Sequence, residues 1–187
     1  MNKPQGQRTC LYDTADLDTV LADMARQVAG LLTGRRQIAI VGLLRRGAPL
    51  AEILRDRLAC DYGRSDLPLY KLHVKRYADD LTLLHPETEL TESAEQSVLD
   101  LSGATVLVVD DVLYRGHSLL KAVEYLAGKN PVEIRTVVLV DRGVTWLPIR
   151  ADITGMRLDV APQDIIECNV PPYEPEFRID LLQLDKP

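Results

Sequence analysis

Two adjacent carboxylates close an apolar run: Val106-Leu107-Val108-Val109 is followed by Asp110-Asp111, and then by Val112-Leu113-Tyr114-Arg115-Gly116-His117-Ser118-Leu119. A strand ending in two acids offers acceptor oxygens that suit the vicinal hydroxyls of a ribose. The glycine turn behind it exposes backbone N–H groups, and a helix opening at that turn brings its positive dipole end to the same point. A sugar phosphate satisfies all three features together. The plainer reading, a strand terminus meeting solvent, suffices for one acid. Two acids ahead of a glycine turn and a helix start make a sugar-phosphate site the stronger expectation.

Two more apolar runs end in polar loops. Ile38 to Val41 leads into Gly42-Leu43-Leu44-Arg45-Arg46-Gly47, and Ile134 to Val140 ends in Asp141-Arg142-Gly143. Guanidinium groups suit phosphates because they form charge-assisted, often bidentate hydrogen bonds. Arg26, Arg35, Arg36, Arg45 and Arg46 form either a local basic patch or an ordinary solvated surface. Cys10, Cys60 and Cys168 are odd in number and widely spaced, so they read as reduced structural residues. His73 and His85 have no partner evident in the sequence, and Pro171-Pro172-Tyr173-Glu174-Pro175 reads as a rigid connector.

The elements that would position these residues follow from hydrophobic spacing. From Asp16 onward, Leu17, Val20, Leu21, Met24, Val28, Leu31 and Leu32 share one helix face, with Gly34 as a stop. Pro49 opens a second helix with Leu50, Ile53, Leu54 and Leu58 inward, and Leu119, Leu120, Val123 and Leu126 define a third that Gly128 ends. Leu67 to Arg76 suits a strand, as do shorter runs at Ala151 to Thr154, Ile165 to Cys168 and Phe177 to Leu181. Tyr77 to Gly103 lacks sustained periodicity and holds seven acids with neither Lys nor Arg, so it reads as a long loop, functional or disordered. Apolar strands separated by amphipathic helices predict an α/β fold with a mostly parallel sheet covered on both faces, and ligands at the strands' carboxyl ends.

The 187 residues fit one domain. A hydrophobic share of 46% and a charged share of 27% suit a globular chain, and a net charge of -6 argues against a surface made throughout for nucleic acid. No apolar run reaches the roughly 20 residues of a membrane span, and the polar start lacks a signal core, so a cytoplasmic location without membrane partners is expected.

On these residues the chain resembles the type I phosphoribosyltransferases, and within them the PyrR family of pyrimidine-operon attenuation regulators with uracil phosphoribosyltransferase activity. The likeness rests on Val41 to Gly47, on Tyr77-Ala78-Asp79-Asp80-Leu81, on the Asp110 segment, and on Leu139 to Gly143 followed by Leu147-Pro148-Ile149-Arg150-Ala151-Asp152. The resemblance implies the fold of that class, a single domain over 1–187 with a flexible lid loop at about 77–103 and a small hood from about 141–187 with N-terminal contributions. It implies that Asp110 and Asp111 hold the ribose hydroxyls of 5-phosphoribosyl-1-pyrophosphate (PRPP), and that Tyr114, Arg115, Gly116, His117 and Ser118 cradle the 5′-phosphate. Leu44, Arg45, Arg46 and Gly47 would form the pyrophosphate loop, with the two arginines acting in catalysis beside the two aspartates. Val140, Asp141 and Arg142 would face the base, and Tyr77, Asp79 and Asp80 would belong to the lid.

The implied reaction displaces pyrophosphate from the anomeric carbon by a nucleobase nitrogen, with uracil as the leading base. Mg²⁺ is the implied cofactor; no direct protein ligand is evident, and Asp110 and Asp111 are candidates through water or PRPP. A homo-oligomer of at least two chains is also implied. Two places depart from the family pattern. Where the phosphate loop usually reads Tyr-Thr-Gly-Arg-Thr, this chain has Tyr114-Arg115-Gly116-His117-Ser118. Arg115 then either pairs with a phosphate or fills its pocket, and His117 is either a phosphate donor or a plain turn residue. After Gly143 the chain has Val144-Thr145-Trp146 in place of His-Arg-Glu, and Met156 in place of Lys, which weakens the case for RNA as a partner. Trp146 either stacks on a base or packs. The alternatives are a weak or inactive nucleotide-sensing regulator that binds RNA or a protein, and a transferase for another base such as a purine.

Overall fold

The computed structural model describes residues 6–75, 89–91 and 99–184. In chain order the elements are β1 (Gly6–Tyr12), α1 (Thr14–Leu31), β2 (Ile38–Leu44), α2 (Gly47–Tyr62), β3 (Leu69–Lys75), β4 (Glu89–Thr91), β5 (Thr105–Leu113), α3 (His117–Ala127), β6 (Glu133–Asp141), β7 (Ile153–Arg157), β8 (Ile165–Asn169) and β9 (Arg178–Leu184).

Apolar runs build the centre. Val106 to Val109 and Val137 to Val140 are 0% exposed, as strands covered on both faces must be. They lie in a sheet ordered β4-β3-β2-β5-β6-β7. Five of its strands are parallel, and β4 pairs antiparallel with β3 at the edge. Leu17, Leu21, Met24 and Val28 of α1 and Leu50, Leu54 and Leu58 of α2 enter one core layer. Leu119, Ala122 and Leu126 of α3 enter the other, whereas Leu120, expected to face inward, lies one residue round the helix from Leu119 and is exposed, and Ala122 is buried where no inward residue was expected. Asp13 caps α1 through a capping box with Asp16, each side chain accepting a backbone N–H at the helix start.

After β2 the chain adds β3 on one side and β5 on the other. The boundary between β2 and β5 is therefore the topological switch point of the sheet, where ligands of open α/β folds bind. A second, three-stranded antiparallel sheet, β1-β9-β8, joins the amino-terminal strand to the carboxyl-terminal third. Its Ile166, Cys168 and Ile179 share the core layer of α1 and α2.

Several boundaries differ from the sequence reading. β5 runs on through Asp110 and Asp111 to Leu113, because its ladder with β6 continues to Leu113 opposite Asp141. Helix α2 opens at Gly47, two residues ahead of Pro49. The segment read as a continuous loop over 77–103 contains β4, and Gly6 to Thr9 of the polar start lie in β1. Among the described residues no helix is long and apolar enough to cross a membrane.

Candidate active site

β5 carries Asp110 and Asp111 beyond its apolar run to the carboxyl edge of the sheet, where both are half-buried. The Asp111 N–H donates to Asp110 Oδ1 at 3.0 Å. Burial, and then the Asp111 charge, push the Asp110 carboxyl well above the usual carboxylate range. Burial also raises Asp111, against the nearby Arg46 charge that favours its ionised form. Such a pair gains from partners that donate hydrogen bonds or bring positive charge. Burying Val106 to Val109, at about 1.5–3 kcal/mol per side chain, offsets the cost of holding the two acids there.

The turn behind the pair is shaped by Gly116, which has φ +88° and is the N-cap of α3. No side chain caps this helix start, and no acid lies in its first turn, so its first N–H groups and positive dipole end suit an anion. A Cβ on Gly116 would lie 2.6 Å from Ile149 Cγ2, so only glycine fits beneath the 143–150 loop. Asp110, Tyr114, Arg115, Gly116, His117 and Ser118 line one small concavity. The Arg115 guanidinium carbon lies 3.7 Å from the centre of the Trp146 ring.

The β2–α2 loop approaches the same point. A Cβ on Gly47 would stand 2.6 Å from the Val109 carbonyl oxygen and 3.0 Å from Asp110 Cα, so the missing side chain lets α2 begin against the acids. The Leu44–Arg45 peptide bond is cis. Arg45 lies 5.6 Å from the Tyr173 ring centre. Arg46 Nη2 donates to Glu174 Oε1 at 2.6 Å, and Glu174 Oε2 also accepts the Val170 N–H at 2.9 Å.

The β6 end lies alongside. Val140 is buried in the core, and the Asp141 Oδ1 accepts the Gly143 N–H at 2.7 Å. Arg142 is 1% exposed. Its Nη2 donates to the Asp164 carbonyl at 2.9 Å, its guanidinium lies 4.6 Å from the Tyr114 ring centre, and its Nε and Nη1 have no hydrogen-bond partner. Burial lowers its pKa. Arg142 thus braces the β7–β8 loop against the start of the α3 turn.

A model of the phosphoribosyl transferase domain matches residues 9–176. The chain belongs to this family. The bifunctional protein PyrR of Roseiflexus sp. (strain RS-1) is 35% identical over 157 residues, 83% of this chain and 84% of its own length. That of Actinobacillus pleuropneumoniae serotype 5b (strain L20) is 30% identical over 174 residues, 92% and 96% of the two chains. Among solved structures, a hypoxanthine phosphoribosyltransferase from Trypanosoma cruzi in complex with the product IMP is similar at a TM-score of 0.73 and 15% identity, covering 98% of this chain and 94% of its own. One from Staphylococcus aureus gives a TM-score of 0.66 at 18% identity, covering 82% and 79%. These two likenesses concern the fold.

In this phosphoribosyltransferase the switch point therefore holds the acids Asp110 and Asp111, the α3 turn and the Arg45-Arg46 loop together. The lid candidates Tyr77, Asp79 and Asp80 lie outside the described residues. Among the described residues no three His, Cys, Asp or Glu side chains gather as a metal-binding group. Two carboxylates favoured by added positive charge nevertheless fit Mg²⁺, which is commonly held by one or two carboxylates together with substrate phosphates. Tyr173 and Glu174 are site neighbours that sequence reasoning treated as part of a connector. Their contacts join residues 128 positions apart, and no local pattern signals them.

Proposed function

We propose that this phosphoribosyltransferase transfers the phosphoribosyl group of PRPP to a ring nitrogen of uracil, giving UMP and pyrophosphate. The observation that carries this reading is the half-buried Asp110-Asp111 pair beside the uncapped start of α3. Asp110 and Asp111 accept hydrogen bonds from the ribose hydroxyls. The N–H groups from Gly116 to Ser118, with His117, hold the 5′-phosphate, and Arg45 and Arg46 bond the pyrophosphate. Positive charge that these groups favour matters because the anomeric carbon gains oxocarbenium character as pyrophosphate departs. The backbone at Val140 to Arg142 borders the base. Mg²⁺, held through Asp110 and Asp111 or their waters, would neutralise the leaving pyrophosphate. No side chain attacks covalently. Residues 1–187 act as one domain, with a lid at about 77–103 and a hood built from 141 onward together with β1.

Uracil leads because the PyrR relatives span most of this chain at 30–35% identity. Three free thiols suit a reducing cytoplasm, and an oligomer of at least two chains is expected from the family. The test is incubation of the purified chain with Mg²⁺, PRPP and, separately, uracil, hypoxanthine, guanine and adenine. UMP formation ahead of the purine nucleotides is expected. Transfer to a purine alone would move the base assignment, and no nucleotide from any base, beside an active control enzyme, defeats the enzymatic reading.

A second reading is a nucleotide-sensing regulator that acts on RNA or a protein partner. The Arg46–Glu174 contact favours it, because a carboxylate already engages a pyrophosphate-loop arginine while no side chain caps the start of α3, where a monophosphate would sit. Salt-dependent RNA binding that tightens with UMP would support it, and absence of RNA binding at low salt counts against the RNA version.

A further inference from the structure

The α3 turn carries a cation that its backbone anion site does not need. Arg115 lies over Trp146 at 3.7 Å and nearer to it than to the Tyr114 ring, at 5.1 Å. The backbones are tied as well: the Trp146 N–H donates to the Arg115 carbonyl at 3.2 Å. Thr145, Leu147 and Ile149 close over Gly116 from the same loop, so the turn and the 143–150 segment form one packed unit. Trp146 is the chain's only tryptophan and is 67% exposed, which is unusual for a ring whose sole role is packing.

A guanidinium stacked on an indole uses its face. Its in-plane N–H donors still point outward from the edge, and these are the donors that match phosphate oxygens. Arg115 also lines the concavity that contains the uncapped start of α3, together with His117 and Ser118. Stacking on Trp146 therefore holds a positive edge beside the anion site, in a fixed place.

We propose that Arg115 and Trp146 together form the specificity element for the phosphate end of the substrate. Arg115 adds charge-assisted bonds to a phosphomonoester dianion beyond those of the backbone N–H groups. Trp146 is the positioning residue that keeps Arg115 in reach. This rests on the reading of the turn as the 5′-phosphate site. The pair strengthens discrimination of ribose 5-phosphate and nucleoside monophosphates over their unphosphorylated forms.

The test is calorimetric titration of the full chain with ribose 5-phosphate and with ribose, for the wild type and for Arg115→Met, Arg115→Lys, Trp146→Ala and Trp146→Phe. Arg115→Met is expected to weaken ribose 5-phosphate binding by about 10- to 100-fold, the usual effect of deleting a charge-assisted partner. Trp146→Ala should weaken it by about 2- to 5-fold, and Trp146→Phe, which keeps a ring face, by less than Trp146→Ala. The KM for PRPP should rise in the same order, with kcat at saturating PRPP changing less. Trp146 emission should change on ribose 5-phosphate binding in the wild type and not in Arg115→Met. If the wild type binds ribose 5-phosphate and all four variants bind it equally, the Arg115–Trp146 element is overturned while the phosphate-site reading stands. If the wild type does not bind it at all, that reading falls and the element with it.

Discussion

Asp110 is a residue whose chemistry is set by where it is buried. Loss of water and the neighbouring Asp111 charge both favour its protonated form. A carboxyl that holds its proton more tightly folded than unfolded contributes stability at low pH. That contribution is lost as pH rises from the ordinary carboxylate range through the raised folded value. At neutral pH the pair therefore works against the fold, as expected for acids kept to meet a ligand. Asp110→Asn keeps the shape and removes the charge. Its melting temperature at neutral pH should exceed that of the wild type by roughly 2–4 °C per kcal/mol recovered, and the advantage should shrink as pH falls. Ribose 5-phosphate affinity should fall by about tenfold or more in the same variant, and further when Asp111→Asn is added. Melting curves across a pH series, paired with calorimetry, check both. A variant that is less stable at neutral pH and binds ribose 5-phosphate unchanged would contradict the account of burial and of role together.

At the scale of elements, the site depends on how closely α2 meets β5. Gly47 makes that contact possible, since an added Cβ would lie 2.6 Å from a backbone carbonyl that cannot turn aside. Gly47→Ala should destabilise the chain by about 1–3 kcal/mol through overpacking and should raise the KM for PRPP more than that for the base. Gly30→Ala is the contrast: it lies in α1 with nothing within 4 Å of an added Cβ, and should stabilise by about 0.5–1 kcal/mol. Equal melting temperatures for the two would remove the close-approach argument. The same elements mark how far the sequence can be read. β2, β5 and β6 are legible because strands covered on both faces must be apolar throughout, and α1 to α3 because apolar residues recur at helical spacing, although in α3 that spacing points Leu120 inward where the helix buries Ala122. The end of β5 is not legible, since its hydrogen-bond ladder continues through two acids without regard to their polarity. β1 is hidden because its residues are mostly exposed and only its pairing with β9 makes it a strand. The acids and the glycine turn are visible because they are contiguous in sequence, whereas Glu174 is joined to Arg46 by the fold alone.

Over the whole molecule, a few long-range contacts tie the carboxyl-terminal third to the rest of the chain. Thr14 Oγ1 donates to the Phe177 carbonyl at 2.8 Å, Arg142 reaches the Asp164 carbonyl at 2.9 Å, and Arg46 pairs with Glu174. The last differs from the others in engaging Arg46, which the proposed function assigns to the pyrophosphate. The Arg46 and Glu174 side chains are 18% and 10% exposed, so the pair is mostly withdrawn from water and its loss is felt more than that of a surface ion pair. Glu174→Gln removes the charge while leaving an acceptor for the Val170 N–H. The variant should lose about 1–3 kcal/mol of stability, between the surface and fully buried limits. It should also bind PRPP more tightly, because Arg46 no longer has to leave a carboxylate before meeting a phosphate, while UMP, which carries no pyrophosphate, should bind as in the wild type. Measured affinities for the two ligands separate this competition from simple loosening of the fold, which would weaken both. A parallel loss for PRPP and UMP would make Glu174 a structural tether, and a gain confined to PRPP would make it a carboxylate that the substrate displaces.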